Sequence, residues 1–181
     1  MLHSGNRLEI TAGNTLLGAS LPGVRARMTQ AVVAGAIVVA ALNGMAGLLG
    51  ALLWYDGDPS ERGAGAFWVL LRAGQGSALV LALAVGSLAA AGNYSTDQLF
   101  YLYALLPLAI GVVAEQLRIA SAQTILDQRQ LPDAQAVGGL PEKEQRAIVK
   151  EIVRREVGVM ALSALVVVFL ALRAAGTAHG F

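Results

Sequence analysis

The sequence predicts an all-α integral membrane protein with four transmembrane helices, helices 3 and 4 extended beyond the bilayer as an antiparallel helical hairpin. Three observations carry that expectation. Hydrophobic residues make up 56% of the chain and charged residues only 14%, against about 25% in a soluble domain. Four apolar runs without Asp, Glu, Lys or Arg divide the charges into bands, and about 20 such residues in a helix cross roughly 30 Å of hydrocarbon. After the third run charge returns in "VAEQLRIASAQTILDQRQL", residues 113–131, which contains no turn signal before Pro132.

In chain order, residues 1–27 read as a flexible N-terminal tail. They lack a basic region leading directly into an apolar one, so no cleaved signal is expected. A single membrane domain follows over 28–175, and 176–181 form a C-terminal tail. The first span is placed at 31–54, inside the charge-free 28–55, and the second at 67–92, around the charge-free 73–96. The third occupies 98–114 and the fourth 157–172. Unbroken apolar runs of this length favour helices, since membrane strands alternate and are about half as long. Trp54 and Tyr55 close the first span while Phe67 and Trp68 open the second, which puts them at one interface. Tyr94, Phe100, Tyr101 and Tyr103 mark the other, where amphipathic rings settle.

The hairpin is expected over 115–156. Two helices, 113–131 and 141–157, flank "PDAQAVGGL", whose prolines and glycines break helices. "PEKEQ" puts Pro141 and two acids into a first helical turn, as helix N-termini favour. Ile148, Val149, Ile152, Glu156 and Val159 share one face of the fourth helix. On the third helix the matching stripe is read as Leu117, Ala120, Ser121, Thr124 and Leu131, with Arg118 beside it. Counting outward from the turn sets Arg118 level with Glu156 and Glu115 within a turn of Arg155. A buried charge without a partner costs several kcal/mol. Glu115, Arg118, Arg155 and Glu156 are therefore the candidate polar cluster at the membrane surface.

Inside the spans, the polar candidates are Asn43, Gln75 and Arg72. Asn43 reads as an interhelical hydrogen-bonding group. Pro107 frees a backbone carbonyl near Tyr103 and kinks the third helix. Gly74, Ala78, Ala82, Gly86 and Ala90 recur every fourth residue, the small-xxx-small pattern that lets helices approach closely. Ala36, Ala40 and Gly44 do the same on the first span.

The chain has no cysteine, and both histidines, His3 and His179, stand near the ends. Thiolate and bis-histidine sites are thereby excluded, and no cofactor or metal is expected. Thirteen basic residues nearly balance twelve acidic ones, so nucleic acid is not an expected partner. No phosphate-binding loop, HExxH or GxSxG motif is present. "AEQLR", 114–118, lacks the spacing and second acid of the Glu-Glu-x-x-x-Arg box of intramembrane CAAX-type proteases. No catalytic residue is assigned, and the protein is not expected to be an enzyme.

The expected role is that of a small accessory, assembly or oligomerising membrane subunit acting through its hairpin. Expected partners are membrane lipid and another membrane or membrane-associated protein, or a second copy of the chain. A small oligomeric transporter or channel is the alternative, and a lipid-active membrane enzyme using the surface cluster is a third reading. Arginine outnumbers lysine about fivefold, a usage that suggests a GC-rich bacterial genome, and the expected location is a bacterial inner membrane. Nine basic residues lie on the hairpin side against four on the other, so the positive-inside rule puts the hairpin in the cytoplasm and both termini outside.

Overall fold

The computed structural model describes residues 22–57 and 61–181. The expected flexible tail is thus largely outside the described residues, but residues 22–27 belong to the first helix. Of the described residues, 86% are helical. Its elements are α1 (Pro22–Asp56), α2 (Glu61–Ala90), α3 (Leu99–Gln128), the short α4 (Ala134–Val137) and α5 (Glu142–Thr177). Four of them are long and apolar enough to cross a membrane: Gly23–Asp56, Gly63–Ala90, Leu99–Gln128 and Glu142–Thr177.

Each long helix outruns the apolar segment that signals it, because helix formation needs only satisfied backbone groups and does not stop where charge resumes. There are two exceptions, each at one end: α3 begins at Leu99 and not at residue 98, and α2 stops at Ala90 and not at residue 92. Gly92 takes φ +81°, and Asn93 N–H reaches back to the Leu88 carbonyl at 2.9 Å, a left-handed C-cap that suits glycine. α3 ends similarly with Gln130 at φ 57° and Leu131 N–H bonded to the Leu126 carbonyl at 3.0 Å.

The expected loop after α3 contains α4, capped by Asp133, whose carboxylate accepts from Ala136 N–H at 2.9 Å. Gln145 Nε2 then donates to the carbonyls of Gly138 and Leu140, tying the turn to the start of α5.

α1 packs most extensively on α5, α3 lies along α5, and α2 lies along α1; α2 and α3 meet over a shorter stretch. Gly47 and Gly50 permit the α1–α5 approach. A Cβ on Gly47 would come within 2.8 Å of the Leu165 side chain, and one on Gly50 within 2.7 Å of Ala161 Cβ. Two apolar clusters result. One gathers Val39, Leu81, Val85, Phe100, Val167 and Phe181; the other gathers Leu53, Phe67, Leu71, Val157 and Met160.

The C-terminal tail is part of the first cluster. α5 continues to Thr177, and Phe181, 1% exposed, meets Phe100 edge-on with centroids 5.1 Å apart. The His179 carbonyl accepts from Thr96 N–H at 3.0 Å and from the Ser95 hydroxyl at 3.0 Å. Gly180 holds this turn at φ +80°, where a Cβ would lie 2.5 Å from Thr96 Cγ2.

Candidate functional site

Charge converges where α2, α3 and α5 face one another. Glu115 on α3 is the hub. Its Oε1 accepts from Arg72 Nη1 of α2 at 2.6 Å, and its Oε2 accepts from Arg118 Nε, one turn on, at 2.8 Å. Arg118 Nη1 lies 3.5 Å from Glu156 Oε1 on α5. Arg72 also donates to Gln75 Oε1 at 2.7 Å. Both guanidiniums stand over the Trp68 ring, at 6.0 Å for Arg72 and 5.7 Å for Arg118. Such contacts add cation–π attraction to the ion pairs. Two arginines and two carboxylates thus compensate one another in a row across three helices.

Three sequence candidates change places here. Arg72 and Gln75, read as isolated span residues, join the surface cluster. Arg155 leaves it: it is exposed and lines a separate groove between α1 and α5 with Trp54 and Gly158. Helical geometry explains the exchange, since neighbouring residues point about 100° apart and Glu156 is the one turned to α3. The position of Trp68 at the start of the second span marks it as an interfacial ring, and nothing in the sequence reveals that two cations share it.

Behind the cluster lies a cavity of about 490 Å3 where α2 and α3 diverge, and Asn43, Gln75, Pro107, Glu115, Ser163 and Val167 are among its walls. Its size is that of a small-molecule site, and its lining is chiefly apolar. Asn43 is 2% exposed and donates Nδ2 to the Val39 carbonyl at 2.9 Å. Across the interface it abuts Gly74, where a Cβ would come within 2.8 Å of Nδ2. Asn43 therefore fills the space that Gly74 leaves empty.

No family model, curated protein or solved structure matches the chain. The site must be read from its own chemistry. Among the described residues no group of three or more His, Cys, Asp or Glu could hold a metal. Both Glu115 oxygens accept from guanidiniums, so this carboxylate is engaged as a structural tie between α2 and α3.

The small-residue ridge of α2 is divided. Gly74, Ala78 and Ala82 are buried, whereas Gly86 and Ala90 are exposed, and a Cβ on Gly86 would meet nothing within 4 Å. The stripe read on α3 is also displaced. Leu117, Ala120 and Thr124 are exposed, while Ala114, Ile125 and Leu126 are buried.

Proposed function

We propose that the chain is a multi-pass cell-membrane protein in which α3 and α5 leave the bilayer together as an antiparallel hairpin. This hairpin docks another membrane protein or a second copy, so the protein is an accessory or assembly subunit. One observation carries this reading: helix pairing continues past the charged row. Arg129 Nη2 meets Glu151 Oε2 at 3.0 Å, and Ile125 and Ile148 are 1% and 2% exposed. From Arg118 to Gln128 is about 15 Å of helix, and from Glu156 back to Glu142 about 21 Å. A rod with its own small core is stiff enough to present a surface.

The surface offered is the outward stripe of α3. Leu117 is 53% exposed, and Ala120 and Thr124 follow it on the same side. It begins beside the charged row, where a partner helix lying along the bilayer would meet it. The test is purification in mild detergent of the wild-type chain and of Leu117→Glu/Thr124→Glu. A stable complex or dimer that the double variant loses, with its melting temperature unchanged, supports the role. An unaltered oligomeric state in both removes it.

The cavity favours a second reading, a small transporter or channel whose path passes Asn43, Gln75 and Glu115. Flux in proteoliposomes that Asn43→Leu abolishes would establish it in place of the first.

A further inference from the structure

The groove that Arg155 enters has features the other surfaces lack. It runs between α1 and α5, encloses about 440 Å3 and is walled by Ala51, Trp54, Gly158, Leu162 and Leu165, with Arg155 at one end. The Trp54 ring lies over Gly158: a Cβ there would be 2.9 Å from Trp54 Cδ1. Arg154 braces the same tryptophan, donating Nε to its carbonyl at 3.2 Å with its guanidinium 5.6 Å from the ring centroid.

Glu156 faces Arg118 and Glu151 faces Arg129, and among the described residues neither Arg154 nor Arg155 forms an ion pair with a carboxylate. The Arg155 guanidinium thus stands at the head of an apolar trough. The row around Glu115 differs, because its arginines are matched by acids.

We infer that this groove binds one anionic phospholipid, with its phosphate on Arg155 and one acyl chain between Trp54, Gly158, Leu162 and Leu165. The inference rests on the membrane reading above. Charge complementarity selects the headgroup, since guanidinium and phosphate oxygens form charge-assisted, often bidentate bonds. Length selects the chain. From Arg155 to Leu165 is about 15 Å along α5, half of a hydrocarbon core of roughly 30 Å, the reach of a lipid in one leaflet. Trp54 sits where an indole ring meets both headgroup and chain.

The experiment uses the full chain in neutral detergent, titrated with phosphatidylglycerol or phosphatidylcholine, with bound lipid counted by native mass spectrometry. Phosphatidylglycerol is expected to occupy one site in preference to phosphatidylcholine. Arg155→Ala should weaken it about fivefold, the equivalent of roughly 1 kcal/mol per basic residue near an anionic surface. Ala51→Phe fills the groove without altering charge and should weaken binding as much. Arg146→Ala removes a cation that already pairs with Glu142 and should change nothing.

Equal binding of the two lipids, or wild-type binding by Arg155→Ala, overturns the proposal. So does loss on Arg155→Ala with full binding by Ala51→Phe, which would reduce the site to surface charge. Competition by glycerol phosphate at the lipid's own concentration would likewise remove the acyl-chain contribution. Alkaline extraction of membranes separates the two levels of inference. Release of the chain defeats the membrane reading itself, whereas retention without phosphatidylglycerol preference defeats only the lipid site.

Discussion

At the scale of single residues, Asn43 fits closely against Gly74, where the amide occupies the volume of a missing side chain. Gly74→Val would place a branched side chain against that amide, which is also bonded to the Val39 carbonyl. Overpacking of this kind costs about 1–3 kcal/mol. The melting temperature in detergent should fall, and an unchanged value would show that Asn43 can move aside. Gln130 offers a change of the opposite sign. Its φ of 57° is a left-handed conformation that costs a non-glycine residue roughly 1–2 kcal/mol, and a new glycine returns part of that as unfolded-state entropy. Gln130→Gly should therefore raise stability by up to about 1 kcal/mol, read as a higher melting temperature. Of the charged row, the level of Arg118 with Glu156 is legible in the sequence, because counting outward from a turn fixes position along two paired helices. Which residue at a level faces the partner is not fixed by counting, and so Arg155 is misplaced by one step of rotation. Arg72 is legible only as a polar residue near the loop end of the second span, because the sequence does not name that helix's contact with α3.

At the scale of the helix, the two displaced stripes have physical causes. Residues spaced by four advance about 40° around a helix at each step. A row begun at Gly74 has therefore left the α1 interface by Gly86, and Leu81 and Val85 take over the contact. On α3 the apolar residues surround the helix for most of its length, so periodicity does not say which side is inward. A water-soluble helix marks its inner face by contrast with a polar one; here that contrast is absent until beyond Arg118. The existence and apolar centres of the four long helices are legible for the same reason, since sheer length without charge needs no azimuth. The pairing of α3 with α5 can be apportioned by mutation. Arg118 sits between two carboxylates and over Trp68, partly shielded, whereas Arg129 meets Glu151 with both side chains about half exposed. Exposed pairs contribute about 0–1 kcal/mol, so Arg118→Ala should lower the melting temperature more than Arg129→Ala. Equal losses would mean that the row around Glu115 is no more than interfacial charge.

At the scale of the whole molecule, the contacts sort the connections into two ends. Gly57 approaches Arg154, so the α1–α2 connection lies beside the base of the α3–α5 extension. At the far end Thr96 bonds to His179, bringing the α2–α3 connection together with the C-terminus. In the proposed bilayer these ends occupy opposite sides, and nine basic residues against four favour the hairpin end as cytoplasmic. Arg25 and Arg27, beside the first span, pull the other way, so orientation has to be measured directly. The absence of native cysteine makes that measurement clean. Single cysteines at Gly138 and at Asn93 place one thiol at each end, and a membrane-impermeant maleimide applied to intact cells reads their exposure. The expected result is labelling at position 93 and protection at 138 until the cells are opened. The reverse pattern would keep the four crossings and invert the orientation, showing that the two arginines next to the first span outweigh the more numerous charges of the hairpin. Labelling of both positions in intact cells would place the two ends on one side, which the single crossing between them, α3, forbids if that helix spans. That outcome would dismantle the membrane architecture and, with it, the lipid site and the projecting hairpin.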